Sequence, residues 1–156
     1  MADLLLPEVD EDSAPFWAGT REGELRMQYC AGCGQVRFPP RPMCFACQSL
    51  ASEWRAVPGR GRVWSFVVPH PPLLPAYAEL APYNVIVVEL EVDPHLRLVG
   101  NLVPGPDAEI GDIDPATIEI GMPVEAVFAQ MDDEITLPRW VVSPGKQSFP
   151  GEEHHP

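Results

Sequence analysis

Long apolar runs are missing from this chain. No stretch approaches the ~18 apolar residues that a membrane-spanning helix needs. The N-terminal run Leu4-Leu5-Leu6 is too short for a signal peptide and has acidic neighbours where a basic region would stand. Both features point to a cytosolic protein with no membrane partner. Positive charge is scarce as well. Ten Lys and Arg face 23 Asp and Glu, a formal net charge of −13. That field repels a polyanion and argues against DNA or RNA binding through phosphate neutralisation. Catalytic groups are the third shortage. Cysteine is limited to four residues, all in two Cys-x-x-Cys pairs, so a metal held by them leaves no cysteine nucleophile. His70 and His95 are isolated on a predicted loop and turn, and Asp132-Asp133 reads as a hairpin turn. No catalytic constellation is expected.

What is present starts with Cys30-Ala31-Gly32-Cys33 and Cys44-Phe45-Ala46-Cys47, separated by ten residues. A Cys-x-x-Cys turn lets two thiolates converge on one ion. Two such turns supply four soft ligands in a tetrahedron, which suits Zn²⁺. The reduced thiols of a cytosolic protein favour this over two disulfides. Iron in a rubredoxin-like site accepts the same four sulfurs and stays open as an alternative. Because the shell is closed, no coordination position is left for a hydrolytic water.

The chain has 156 residues, enough for one ordinary domain or a small domain plus a zinc module. Its 20 prolines are scattered rather than clustered in one tract, and they suggest a loop-rich β protein. Residues 1–12 are acidic and expected to be loose. Ser13 and Pro15 open a short helix that carries Phe16, Trp17 and Thr20 on one side, with Gly23 as its stop. Leu25, Met27 and Tyr29 alternate with polar residues, so a strand leads into the first cysteine pair and Gln35–Phe38 returns from it. Pro39-Pro40-Arg41-Pro42 reads as a rigid extended link. Residues 48–57 are expected to leave the ribbon.

From Gly59 the texture becomes β. Strands are expected at Arg62–Val68, Asn84–Val92, Leu96–Val103, Val124–Gln130 and Glu134–Val142, with Asp93-Pro94-His95 as a hairpin turn. Between the first two lies a proline-rich loop, Pro69 to Pro82, and loops of that length tend to be functional. Five strands of uneven length fit a small antiparallel barrel of OB type, with a half-open sandwich as the rival. The fold class is therefore mainly β: a short N-terminal helix, a rubredoxin-like zinc ribbon over 13–57 and a five-stranded OB-fold barrel over 58–142. A disordered tail is expected at 143–156, where His154 and His155 lack any spaced partner.

A family resemblance rests on particular residues. They include Pro15-Phe16-Trp17, Tyr29-Cys30-Ala31-Gly32-Cys33-Gly34, Phe38-Pro39-Pro40-Arg41-Pro42, Gly59-Arg60-Gly61-Arg62-Val63 and Ile120-Gly121-Met122-Pro123-Val124. In this order the chain resembles the acyl-CoA-associated OB-fold proteins with a rubredoxin-like zinc ribbon, the domain of unknown function 35 family, over residues 14–142. One departure is Gln48 after the second cysteine pair, where the family more often has glycine. The resemblance implies a non-catalytic accessory subunit. It would bind a thiolase-fold acyl-CoA enzyme, such as a thiolase or a lipid-transfer-protein-like aldolase of steroid side-chain degradation, and help to position the acyl-CoA. The alternative is a stand-alone acyl-CoA-binding protein or thioesterase.

Candidate site residues follow from both lines. Cys30, Cys33, Cys44 and Cys47 would hold the metal. Arg37, Arg41, Arg60 and Arg62 are a basic group in an acidic chain, and guanidinium groups suit the phosphates of CoA. Trp64, Phe66, Tyr77 and Tyr83 are candidates for an apolar slot, with Trp64 and Phe66 expected on one face by alternation. Phe16, Trp17 and Tyr77 are candidates for partner contact.

Overall fold

The computed structural model describes residues 4–144. Residues 4–10 run without regular structure. Helix α1 (Ala14–Arg21) then follows, with Pro15 in its first turn. Ser13 does not cap it with its side chain; instead its N–H and Oγ bond the Asp10 carboxylate at 2.7 and 2.6 Å. Past the helix end Gly23 takes a φ of +77°, and the N–H of Glu24 reaches back to the carbonyl of Gly19. This left-handed stop is one that glycine makes without steric cost.

The ribbon has three strands rather than two. Strand β1 (Leu25–Cys30) pairs on one side with the short β2 (Val36–Arg37) and on the other with β3 (Ser52–Val57). The chain after the second cysteine pair thus returns along β1 for six residue pairs, where it was expected to leave. Long-range pairing of this kind has no local signature. The link at 38–43 bends at Phe38-Pro39 and at Pro42-Met43 instead of running straight.

The second sheet contains β4 (Arg60–Val67), β5 (Val85–Leu90), β6 (Asp93–Gly100), β7 (Pro123–Gln130) and β8 (Thr136–Val142), in the order β6-β5-β4-β7-β8. That is the strand order of an OB-fold, but the sheet is not closed into a barrel. Its edges meet at one parallel bridge, Leu102 to Trp140. Two bonds carry this seam: Trp140 N–H to the Asn101 carbonyl at 3.0 Å, and Val103 N–H to the Trp140 carbonyl at 2.8 Å. Asn84, fully buried, clamps it from behind by bonding both backbone groups of Leu102 at 2.9 and 2.7 Å.

Two local expectations are corrected. The β5–β6 turn lies at Glu91-Val92, because Leu90 already pairs with Asp93. Pro94 and His95 fall in an irregularity of that ladder, where the missing N–H of proline costs no bond. A bulge between Val63 and Ser65 also breaks the alternation of β4. Phe66 packs against the core, whereas Trp64 is 47 % exposed on the opposite face.

The core joins both modules. Phe16, Leu25 and Met27 pack with Val63, Ile86, Val88, Leu98 and Trp140 of the larger sheet. The loop 69–82 contains one helical turn, α2 (Pro75–Ala78). No helix among the described residues is long and apolar enough to cross a membrane. The expected tail, with His154 and His155, lies outside the described residues from 145 onward.

Candidate metal centre and adjoining cleft

Both cysteine pairs are built alike. The carbonyl of Cys30 accepts from Gly34 N–H, and that of Cys44 accepts from Gln48 N–H, each at 2.9 Å. Gly34 and Gln48 both adopt positive φ, +77° and +62°. The residue after each second cysteine must turn left-handed to aim the two sulfurs together. Gln48 does so at a steric cost that glycine avoids.

The Sγ atoms of Cys30 and Cys47 lie 3.5 Å apart, and those of Cys33 and Cys44 lie 3.7 Å apart. All four fall within 4.8 Å of one another. A tetrahedral site with Zn–S bonds of about 2.3 Å sets its sulfurs about 3.8 Å apart, so the four residues fit such an ion. Their acidities fit as well. Backbone N–H groups of Cys33 and Gly32 lower the Cys30 thiol to about 6. At Cys47 the N–H of Ser49 acts in the same direction, but the neighbouring sulfurs of Cys30 and Cys33 outweigh it and push that thiol up to about 12. Without a cation, the first proton leaves readily and a later one is held by repulsion between sulfurs. A divalent ion removes that conflict.

The four candidate arginines fall into two sets. Arg37 is buried, with its Nε bonded to Gln28 Oε1 at 2.6 Å and Nη2 to the Arg41 carbonyl at 3.1 Å. The N–H of Arg41 donates to the same Gln28 oxygen, at 2.9 Å, and its side chain stays exposed. On β4, Arg60 pairs with Glu91 at 2.9 Å and Arg62 with Glu89 at 2.7 Å. Glu89 also faces Arg97 at 3.5 Å, and the Arg97 guanidinium lies 3.8 Å over the ring of Trp64. Trp64 therefore lies on a charged outer face.

The aromatic candidates come together elsewhere. Phe16, Trp17, Tyr77 and Tyr83 line one cleft of about 630 Å³. Its other walls include Leu4, Leu5, Pro7 and Glu8, the link residues Phe38 to Pro40, the end of β6 with Asn101, and residues 137–139 of β8. Phe16 packs edge-on to Trp17 at 5.0 Å and tilted against Phe38 at 5.2 Å. Tyr77 and Tyr83 lie tilted against each other at 5.9 Å, and burial, then the neighbouring Tyr77, pushes the Tyr83 phenol up. Arg139 also lines the cleft and was not foreseen from sequence. It is 5 % exposed, donates to the Ala108 carbonyl at 2.6 Å, and has its pKa pulled down by burial. An Arg-Trp pair in a terminal strand carries no sequence signal for such a position. The cleft contains no histidine.

Comparison with known proteins covers both modules. Residues 17–53 match the family model described as ChsH2, rubredoxin-like zinc ribbon domain, and residues 54–129 match ChsH2, C-terminal OB-fold domain. The chain is 35% identical over 130 residues to the 3-oxo-4,17-pregnadiene-20-carboxyl-CoA hydratase alpha subunit of Mycobacterium tuberculosis; this match covers 83% of the chain but 38% of that relative's length. It is 35% identical over 106 residues to a DUF35 domain-containing scaffold protein of Methanothermobacter thermautotrophicus, covering 67% of the chain and 71% of the relative. Among solved structures, a chain of the Ltp2-ChsH2(DUF35) aldolase superposes with a TM-score of 0.74 at 36% identity, covering 88% of this chain and 98% of that one.

Proposed function

Since the chain belongs to the DUF35 family, in the ChsH2 form of a zinc ribbon followed by an OB-fold, we propose that it is a non-catalytic accessory subunit of an acyl-CoA enzyme complex. The partner is a thiolase-fold enzyme, an aldolase or thiolase, and the metal is zinc in a structural role. The observation that carries this reading is the similarity to nearly the whole ChsH2 (DUF35) chain of an aldolase that contains a second component, Ltp2. The chemistry of the chain agrees. Its one metal-ligating cluster among the described residues is a closed four-sulfur shell, which leaves no position for substrate. The net charge of −13 weighs against nucleic acid as the partner, despite a ribbon and an OB-fold.

The acyl-CoA of such a complex has a nucleotide head with phosphates and an apolar end. Arg41 and Arg60 keep exposed side chains and are the candidates for the phosphates. Arg37 is better suited to hold the link in place through Gln28 and the Arg41 carbonyl. A steroid acyl group is the finer candidate substrate, supported by the name of the mycobacterial relative. Co-expression with a thiolase-fold aldolase or thiolase from the same organism tests the reading. The expected result is co-elution as a hetero-oligomer, with enzyme activity dependent on the accessory chain. Separate elution with activity indifferent to this chain would refute it.

A further inference from the structure

We propose that the cleft between residues 4–17 and the β6–β8 seam binds the apolar part of an acyl thioester, a chain or a fused-ring group. Its aromatic wall comes from the N-terminal helix and Tyr83. This inference rests on the acyl-CoA part of the function proposed above, not on the identity of the partner. It moves Phe16 and Trp17 from partner contact to ligand contact, and it leaves Trp64 and Phe66 out of the slot.

Three observations carry it. The volume of about 630 Å³ lies within the range of small-molecule sites. The walls are mainly apolar, and three of the polar side chains among them are already engaged: Ser13 Oγ with Asp10, Asn101 Nδ2 with the Asn84 carbonyl, Arg139 with the Ala108 carbonyl. Arg139 is the one cation among the lining residues, so the cleft is not built for several phosphates. It suits an apolar group that ends in a single carbonyl. The nucleotide head would then stay outside, where Arg41, with an exposed side chain, follows the lining residues Phe38 to Pro40.

The test is calorimetric titration of the full, zinc-loaded chain with CoA, hexanoyl-CoA, dodecanoyl-CoA and cholyl-CoA, all below their micellar range. Burial of a chain predicts affinity rising about fourfold per methylene until the cleft is filled, with CoA itself weakest. Tight binding of cholyl-CoA with little dependence on linear chain length would assign the cleft to fused rings. Val99 and Leu5 line the cleft and are 67 % and 64 % exposed, so Val99→Trp and Leu5→Asp leave the core intact. Each is expected to weaken the apolar ligand at least tenfold with an unchanged melting temperature. Affinity that ignores the acyl group in both arms overturns the proposal. So does acyl-dependent binding untouched by both variants, which would place the ligand elsewhere while sparing the acyl-CoA reading. The partner reading fails separately, by the absence of co-elution.

Discussion

Gln48 and Gly34 hold equivalent positions and differ in what their backbone costs. Both accept a left-handed φ so that an N–H can close the cysteine turn. A Cβ at Gly34 would meet nothing within 4 Å, so only the backbone conformation distinguishes glycine from alanine there. Gly34→Ala is expected to destabilise the zinc-loaded protein by about 1–2 kcal/mol. Gln48→Gly should stabilise it by about 0.5–1 kcal/mol, the relief of strain being partly offset by the entropy glycine loses on folding. Denaturant unfolding at fixed zinc concentration measures both. A loss on Gln48→Gly would mean that the glutamine side chain contributes something the backbone geometry does not reveal.

The ribbon is the element whose stability the proposed zinc should govern. Its strands are two to six residues long, and β3 is largely exposed, so it builds little core of its own. Structural zinc contributes on the order of 10 kcal/mol to such modules. Chelation should therefore loosen residues 25–57 while leaving the β4–β5 ladder protected, as amide exchange would register. Loss of metal should also follow pH in a definite way. Binding needs four thiolates; at pH 7 the Cys30 thiol, held near 6, has already lost its proton, while Cys47, pushed to about 12, must release one. Zinc affinity should thus fall as pH drops, and more steeply once pH passes below 6, where Cys30 also has to give up a proton. Competition with a chromogenic chelator between pH 5 and 8 checks the slope; an affinity flat across that range would contradict the assignment.

Much of each element was legible in the chain itself. Period-two alternation marks β1, runs rich in β-branched residues mark β4 and β5, and the spacing of Cys30, Cys33, Cys44 and Cys47 marks the metal site without any fold in hand. Other features were hidden for physical reasons. The return of β3 along β1 is a long-range pairing by a largely exposed strand with no apolar pattern to announce it. The bulge at Trp64 is one extra residue in a ladder, and it alone sends Trp64 and Phe66 to opposite faces. The Glu91-Val92 turn lacks the glycine or asparagine that usually marks a two-residue hairpin. The cleft was the least accessible, since its walls come from residues 4–17, 38–40, 77–85, 98–101, 110 and 137–139, and only the folded chain brings them together.

At the scale of the whole molecule, the core that runs from Phe16 through Met27 to Trp140 fuses helix, ribbon and sheet into one body. A partner that grips the ribbon thereby grips the sheet. Within that body the joints are unequal. β4–β5 and β7–β8 are held along six or seven residue pairs each, whereas the edges of the sheet meet at Leu102 and Trp140 alone. Opening free energies in a protein follow such differences in local support. The seam should breathe: the amides of Val103 and Trp140, although both residues are buried, should exchange faster than those of Ile86 and Val88 in the central strands. Equal protection would show the seam to be as firm as a closed barrel. Gly100, Asn101, Leu137 and Pro138 stand on both sides of this seam and form one wall of the cleft. Whatever settles there acts as a rivet across the loosest joint of the sheet, and its occupancy would be readable, far from the ligand itself, as a slowing of two backbone amides.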